Sequence, residues 1–309
     1  MRLGLIGCGR WGRRILRDLK AQSISVTVVD QDEAARIHAA TQGADSVFAS
    51  INQVSGVVGW VVATPSTTHA NIIERLLPSS APIFCEKPLT CDPHSARRIA
   101  GRAPDHVFVM DKWRYHAGVL ELARIARAEA LGPVQGLVSR RLAWGHDHAD
   151  VDIAWILLPH EFSIAFEVLG ELPTPIFAVA EADSDALRAL TVLSRGKTWH
   201  LSEIGSRTPE RERRIELRCR DGVAVLANAD DDLITLIRNP ARAAGLPHIE
   251  HIAIGTTAPL YAELAAFIAY LDGGPRPKSS VAEGALMVDA IFRARALAGL
   301  DEAPAAPGP

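Results

Sequence analysis

The chain has 309 residues, of which 48% are hydrophobic and 22% charged, and its formal net charge is −3. A chain of this length normally organises more than one hydrophobic core, so two domains are expected. The proportions are those of an ordinary globular protein. A nucleic-acid-binding protein normally shows a basic face, so the slightly negative charge argues against that class.

The four cysteines are few and scattered, with no CxxC pair and no spacing typical of metal ligands. Reduced thiols in a cytoplasmic protein are the expected state. No signal peptide precedes the first apolar run, and no run reaches the roughly 20 residues that a membrane helix needs. We therefore expect a cytoplasmic protein that binds neither nucleic acid nor a membrane.

The first third of the chain alternates short apolar runs with amphipathic stretches. This alternation predicts a parallel sheet covered by helices on both faces. The predicted helices include Gly12–Leu19 and Ala70–Leu77. The predicted strands are Leu3–Ile6, Ser25–Val29, Val57–Ala63, Ile83–Cys85 and Val107–Met110. Residues 1–115 are thus expected to form a doubly wound domain.

After residue 115 the pattern changes to consecutive strands, which indicates a largely antiparallel sheet. A helix over Ala117–Ala128 precedes them, and helices over Leu260–Leu271 and Val281–Ala298 follow. The predicted strands are Val134–Leu142, Ile176–Ala180, Leu187–Leu193, Thr198–Ile204, Arg214–Cys219, Val223–Leu226 and Leu233–Ile237. Residues 116–302 are assigned to a second domain, and the Pro/Ala/Gly-rich residues 303–309 to a disordered tail.

A glycine-rich turn lies between the first strand and the first helix and consists of Gly7, Cys8, Gly9, Arg10, Trp11 and Gly12. In this context a GxGxxG pattern supplies a tight turn, a close backbone approach to a pyrophosphate and close helix–strand packing. Asp30 ends the second strand, 18 residues after Gly12. A carboxylate there accepts ribose hydroxyls and repels a 2′-phosphate, which favours NAD over NADP. Arg36 and Arg10 leave NADP as the less favoured alternative.

Two further motifs follow predicted strands. The first contains Thr64, Pro65 and His69, and its Ser and Thr residues also suit a helix N-cap. His69 is interpreted as structural or as a wall of the cofactor site. The second is Glu86-Lys87-Pro88. A lysine at a strand end can stabilise a developing alkoxide or move a proton, although a lysine before a proline is more often a surface residue.

Together the three motifs resemble the glucose–fructose oxidoreductase, inositol dehydrogenase and rhizopine-catabolism (Gfo/Idh/MocA) family, and the resemblance extends over nearly the whole chain. It implies a Rossmann domain followed by an α/β domain with an open, largely antiparallel sheet. That sheet often makes the oligomer contact in the family, so a homo-dimer or homo-tetramer is expected. The resemblance also implies that Lys87 is catalytic beside the nicotinamide and that Glu86 belongs to the cofactor site.

The same resemblance places the acid–base histidine of the family at His160, at the start of a helix. Family members commonly carry an aspartate four residues earlier, where this chain has Ile156. The orienting group is then missing or supplied by Asp152 or Glu161. A packing role for His160 is the alternative.

Further candidates for contact with a polar substrate are Trp113, Arg114 and Arg141, beside Lys87 and His160. Arg140 or Arg141 suits a phosphate or carboxylate, although one of them can point to solvent on the alternate strand face. The pair His146 and His148 suggests a metal only weakly, and no metal is predicted.

The leading interpretation is an NAD-dependent enzyme that transfers a hydride to or from a secondary alcohol or ketone carbon of a sugar, cyclitol or nucleotide-sugar. The glycine loop looks like that of members acting on nucleotide-linked sugars. A non-catalytic regulator that binds NAD and a sugar on the same fold is the alternative, and Ile156 supports it. A reductase of tetrapyrroles or dihydrodiols on the same fold is a third reading, which the many Arg and His residues favour less.

Overall fold

The computed structural model describes residues 1–145, 150–184, 186–239 and 246–300. Its chain forms two units. The first contains Met1–Lys112 and Ala258–Val288, and the second contains Trp113–Thr257 and the segment that begins at Asp289. The predicted tail and the pair His146 and His148 lie outside the described residues.

The first unit is built on a six-stranded parallel sheet in the order β3-β2-β1-β4-β5-β6. Its strands are β1 (Arg2–Ile6), β2 (Ser25–Val29), β3 (Ser46–Phe48), β4 (Gly59–Val62), β5 (Ile83–Glu86) and β6 (Val107–Met110). Its first four helices are α1 (Arg10–Ala21), α2 (Glu33–Thr41), α3 (His69–Leu76) and α4 (Pro93–Arg102). This strand order is that of a dinucleotide-binding doubly wound sheet, so the predicted Rossmann fold is confirmed.

Helix α7 (Pro259–Leu271) also belongs to the first unit, together with the part of α8 (Val281–Leu297) up to Val288. Phe267 of α7 is fully buried and stacks on Phe84 of β5 with ring centroids 4.8 Å apart. The sequence analysis assigned this segment to the second domain because it follows that domain's strands. The structure instead returns the chain to the first unit, where the apolar face of α7 is buried.

The second unit contains an eight-stranded sheet in the order β14-β13-β12-β11-β7-β10-β9-β8. The strands are β7 (Val134–Trp144), β8 (Thr174–Ala182), β9 (Leu187–Arg195), β10 (Trp199–Gly205), β11 (Arg207–Cys219), β12 (Gly222–Leu226), β13 (Leu233–Arg238) and β14 (His248–Ala253). Strands β7 and β10 pair in parallel, and the other neighbours pair antiparallel. The prediction of a largely antiparallel sheet is therefore confirmed.

Helices α5 (Ala117–Arg127) and α6 (Ile153–Leu169) pack against this sheet and bury its main apolar core. Helix α6 begins after Asp152, whose side chain accepts a hydrogen bond from the backbone N–H of Ala154. His160 therefore lies in the middle of α6, and the expectation that it stands at a helix start is wrong. The N-cap at Asp152 starts the helix two turns before His160, and Pro159 is accommodated inside it.

The four cysteines are free thiols in buried positions. Across the described stretches, no helix is both long enough and apolar enough to cross a membrane.

Candidate active site

The glycine loop of the first unit has the geometry of a phosphate cradle. Gly7 has φ +88, and a Cβ there would lie 2.7 Å from the Ala63 carbonyl oxygen. A Cβ on Gly12 would lie 2.0 Å from the Gly7 carbonyl oxygen, so α1 packs directly on the turn. An added Cβ on Gly9 meets nothing within 4 Å among the described atoms. The first and third glycines are thus needed for packing, and the second leaves open space for a ligand.

Helix α1 begins directly at this open space. Its N-cap is Gly9, which has no side chain that could cap the helix. Arg10 is exposed in the first turn. The backbone N–H groups of a first helical turn have no partner inside the helix and carry the positive end of the helix dipole. The cradle therefore fits the pyrophosphate of a dinucleotide.

A cavity of about 660 Å³ extends from the cradle to the carboxyl end of β2. Asp30 lines it, and its carboxylate accepts hydrogen bonds from the backbone N–H of Cys8 at 2.6 Å and of Asp32 at 2.9 Å. The guanidinium of Arg36 instead donates to the backbone carbonyls of Asp30 and Gln31. The group that faces the cavity at this end is thus a carboxylate, which suits ribose hydroxyls.

The loop after β4 forms another part of the cavity wall, through Thr64 and Pro65. His69 is 1% exposed, and its ring nitrogens lie 2.8 Å from the Pro88 carbonyl oxygen and 3.0 Å from the Thr64 carbonyl oxygen. The imidazole therefore ties this loop to the segment that carries Lys87. These two contacts are of a structural kind, and a part of His69 in cofactor binding stays a prediction.

Several cavity residues were not selected in the sequence analysis. They are Gln31, Asp32, Ser50, Ile51, Asn71, Ile72 and Arg75. Ser50 follows β3, a strand of three residues that is too short to show a pattern. Asn71 and Arg75 are spaced four apart on α3, so they share a face, and this spacing is the signal that was available.

The Glu86-Lys87-Pro88 segment starts at the last residue of β5. Glu86 is 8% exposed, and its carboxylate accepts hydrogen bonds from the indole N–H of Trp11 and, at 3.2 Å, from the backbone N–H of Lys87. Lys87 is half-buried. The Nζ of Lys112 lies 4.4 Å from the centre of the Trp11 ring. Glu86 thus joins the glycine loop directly to the candidate catalytic lysine.

In the second unit, three of the predicted residues cluster. The Trp113 and His160 rings are edge-to-face with centroids 6.4 Å apart, and the Arg141 guanidinium lies 4.4 Å from the Trp113 ring centre. Arg141 is 5% exposed, and its Nε donates to Glu161 at 2.5 Å. Burial lowers the pKa of Arg141, and the neighbouring Glu161 opposes that shift.

The side chains considered as orienting partners of His160 have other contacts. Glu161 pairs with Arg141, and Asp152 pairs with Arg295 in addition to capping α6. Ile156 is 7% exposed, so a buried apolar side chain occupies the position four residues before His160. The structure thus shows neither carboxylate bonded to the His160 ring.

The other two arginines considered in the sequence analysis, Arg114 and Arg140, form ion pairs outside the cluster of Trp113, Arg141 and His160. Arg114 pairs with Glu167 at 3.1 Å, and its guanidinium lies over the Phe166 ring. Arg140 is largely exposed and pairs with Glu203 and Glu212. Within the described residues, no group of three His, Cys, Asp or Glu side chains is arranged to hold a metal ion.

Comparison with known proteins agrees with this geometry. Residues 1–109 match the oxidoreductase family with an NAD-binding Rossmann fold, Gfo/Idh/MocA. The chain is 25% identical over 264 residues to the UDP-N-acetylglucosamine 3-dehydrogenase of Acidithiobacillus ferrooxidans, covering 82% of each chain. It is 24% identical over 259 residues to the inositol 2-dehydrogenase of Rhizobium meliloti, covering 74% of this chain and 76% of that one.

A solved structure of levoglucosan dehydrogenase with NADH and levoglucosan superposes with a TM-score of 0.85 at 15% identity, covering 100% of both chains. At that identity the likeness speaks to the fold alone. The motifs, the sheet order and the family match define the class, an oxidoreductase with a dinucleotide-binding Rossmann domain. Residues 1–109 thus match the Gfo/Idh/MocA family, and the chain is an NAD-dependent oxidoreductase acting on CH–OH groups.

Proposed function

We propose that the chain transfers a hydride between NAD and a secondary alcohol or ketone carbon of a sugar, cyclitol or nucleotide-sugar. One observation carries the proposal. Glu86 bonds both to Trp11 of the glycine loop and to the backbone N–H of Lys87, so the lysine segment is built onto the cofactor site itself. Such contacts with the glycine loop are not expected for a lysine that only faces solvent.

In the direction of oxidation, the substrate carbon loses a hydride, its hydroxyl loses a proton, and a C=O bond forms. Bound NAD supplies the acceptor for the hydride and its two electrons. The ammonium of Lys87 stabilises the negative charge that develops on the substrate oxygen. Gly7, Gly9 and Gly12 would hold the pyrophosphate of the cofactor, and Asp30 would hold its adenosine ribose.

His160 is the proposed proton-exchanging group. An ordinary imidazole pKa lies close to neutral pH, where it serves either as acid or as base. Its packing against Trp113 supports a fixed ring orientation, and Ser163 donates a hydrogen bond to the backbone carbonyl of His160. The proposed role of His160 rests on the family resemblance together with these two contacts.

The substrate class is proposed from the relatives. The relatives are named as acting on UDP-N-acetylglucosamine and on inositol, and both compounds carry secondary hydroxyls. Trp113 and Arg141 lie beside His160, but each is only 5% exposed, so the relatives carry this part of the proposal.

The test mixes the wild-type protein with NAD and each member of a panel of sugars, cyclitols and nucleotide-sugars, and follows turnover by the change in cofactor absorbance. We expect turnover with at least one member of the panel. His160→Asn should then lower kcat by about 10²–10⁴-fold, with a much smaller effect on the KM for the substrate. Unaltered kinetics across pH in that variant would remove His160 from the mechanism.

The alternative function, a non-catalytic regulator that binds NAD and a sugar, predicts the opposite outcome of the same experiment. It predicts that NAD and a sugar bind, detected by thermal shift, while no hydride transfer occurs in the wild-type protein. The buried Ile156 at the usual aspartate position is the observation that favours it. Measurable turnover that depends on Lys87 would exclude it.

A further inference from the structure

Glu263 of α7 is a buried acid that the proposed mechanism does not use. Its residue is 0% exposed. Neither oxygen of its carboxyl group has a hydrogen-bond partner among the described residues. A buried carboxylate without donors is strongly disfavoured, whereas a neutral carboxylic acid is tolerated at much lower cost.

The charged groups around Glu263 come from each element packed near it. Glu86 ends β5, while Asp111 and Lys112 follow β6, and all three act electrostatically on Glu263. Helix α1, which packs against α7, adds the buried Asp18, paired with Arg17 at 2.7 Å. Two acids, Glu86 and Asp111, thus act on Glu263, and one cation, Lys112, opposes them, while Asp18 is paired with its neighbour Arg17.

The two glutamates differ in their donors. Glu86 accepts hydrogen bonds from the Trp11 indole and from the Lys87 backbone, and both stabilise an ionised carboxylate. Glu263 has no comparable donor in the described part of the chain. If the two carboxyl groups hold one proton between them, it belongs on Glu263.

The direction of the pKa shifts agrees with this assignment. Burial, followed by the charges of Glu86 and Asp111, raises the pKa of Glu263 well above its ordinary value. Burial also raises the pKa of Glu86, but Lys87, Trp11 and Lys112 oppose that shift.

We propose that Glu263 is a positioning residue, a neutral carboxylic acid beside Glu86 that keeps the pair at one negative charge, located on Glu86. That charge holds Trp11 of the glycine loop and the backbone of Lys87 in one arrangement. A second negative charge on Glu263 would compete for Lys112 and would change the electrostatic environment of Lys87. The link to Lys87 rests on the proposed function, whereas the proton on Glu263 does not.

The first test is thermal stability against pH for the wild-type protein and Glu263→Gln. An acid whose pKa is raised by folding destabilises the fold as pH rises from its unfolded value, about 4.3, up to its folded value, because the unfolded chain releases the proton first. The glutamine keeps the neutral shape and has no proton to lose. The Tm of the variant minus that of the wild type should therefore increase by roughly 5 °C between pH 5 and pH 8.

The matched control is Asp272→Asn, at the exposed C-cap of the same helix, which should shift the Tm equally at each pH. A Tm difference for Glu263→Gln that stays constant between pH 5 and pH 8 would overturn the proposal. If that variant does not fold, infrared spectroscopy of wild-type protein labelled with ¹³C at glutamate decides the question. We expect the carbonyl stretch of a protonated glutamic acid at pH 7, and its absence would also overturn the proposal.

The second test is the pH profile of kcat. Below pH 8, Glu263→Gln should stay within about threefold of the wild type, whereas Glu86→Gln, which removes the negative charge, should lose at least tenfold. On the alkaline side, kcat of the wild type should fall at lower pH than that of Glu263→Gln. Superimposed alkaline limbs would overturn the link to Lys87. Absence of all turnover in the wild type would overturn the proposed function, while the thermal and infrared readouts would still decide where the proton lies.

Discussion

Lys87 is a residue whose loss should strongly reduce turnover. Lys87→Met removes the charge that stabilises a developing alkoxide while leaving the glycine cradle and Asp30 in place. We expect kcat to fall by on the order of 10²–10³-fold or more, with NAD affinity nearly unchanged. Steady-state kinetics and a fluorescence titration of NAD measure the two effects. Lys197→Met, at an exposed turn of the second unit, is the control. Near-wild-type turnover of Lys87→Met would return this lysine to the class of surface residues.

We expect Asp30 to determine whether the cavity prefers NAD or NADP. Its carboxylate lines the cavity and is held by two backbone N–H groups, so it faces the ligand as a fixed negative charge. We predict that NAD binds at least tenfold more tightly than NADP. Asp30→Asn should lower the affinity for NAD by about 10–100-fold and should reduce the ratio of the affinities for NAD and NADP. Titration of both cofactors into both proteins measures the ratio. Equal affinities in the wild type would contradict the assignment.

His200 sets part of the response to acid. It is 0% exposed, its Nε2 lies 2.9 Å from the Ser139 hydroxyl, and burial lowers its pKa to about 3. A base whose pKa is lowered by folding costs stability as pH falls below its unfolded value of about 6.5, because only the unfolded chain takes up the proton. Between pH 7.5 and pH 5 this group should cost about 2 kcal/mol.

Urea unfolding of His200→Gln at both pH values measures this contribution. The variant should lose about 2 kcal/mol less than the wild type between pH 7.5 and pH 5. His106→Gln, at an exposed position, should behave like the wild type. Equal losses in all three proteins would show that His200 is protonated in the folded state.

At the scale of elements, α6 carries much of the second unit. Thirteen of its 17 residues are buried, including Ile156 and Glu161. The ion pair between Glu161 and Arg141 connects α6 to β7 and fixes the guanidinium over Trp113. A buried pair of this kind gives little net stability, but removal of one partner leaves an uncompensated charge. Its contribution is therefore to hold the geometry around His160.

Restoration of the family aspartate in α6 should not improve the protein. Ile156→Asp places a carboxyl group in an apolar position, and we expect a loss of about 2–4 kcal/mol in the free energy of unfolding with unchanged or reduced turnover. Ile156→Val, which keeps the apolar character, should cost only about 1 kcal/mol. Chemical denaturation and steady-state kinetics measure both effects. A more active and equally stable Ile156→Asp would show that the position is shaped for a carboxylate.

At the scale of the whole molecule, the eight-stranded sheet leaves apolar side chains exposed. Phe177 and Val179 of β8 are 60% and 54% exposed, which is unusual for large apolar residues. Contiguous apolar surface of this kind marks a protein–protein contact. The family resemblance gives the same expectation, a homo-dimer or homo-tetramer formed through the sheet, which stays a prediction.

The oligomer prediction is tested by Phe177→Glu, which introduces a charge into the exposed apolar surface. Sedimentation velocity should show a dimer or tetramer for the wild type and a smaller species for the variant. Ile37→Glu, at a position of α2 that is 60% exposed, is the control and should leave the mass unchanged. A monomeric wild type would contradict the prediction.

Five of the six strands of the first sheet were predicted within a few residues because each of these five is a short, buried, largely apolar run. Strand β2 and strand β6 match their predictions residue for residue. Strand β3, with three half-buried residues, has no such pattern and was missed. Strand β14 was also missed, since its residues are mostly exposed and carry histidine and glutamate. Strands were thus predicted correctly where their burial requires a recognisable run of apolar residues.

By itself the sequence determined five of the six strands of the first sheet, the glycine-rich turn and the acid Asp30 that follows the second predicted strand. Each depends on interactions that are local along the chain: a glycine at positive φ, a helix whose N-cap is the third residue of the glycine-rich turn, and a strand that is followed directly by an acid. The Lys87 motif was equally visible because its residues are consecutive.

Only the tertiary structure decided which distant side chains meet. It brought α7 to the first unit and so placed Glu263 near Glu86, and it paired Arg141 with Glu161 and Arg114 with Glu167. Residues separated by 20 to more than 170 positions carry no spacing signal, because the packing of whole elements sets their approach. Burial then selects the charge states, since a buried acid or base must find a partner or become neutral.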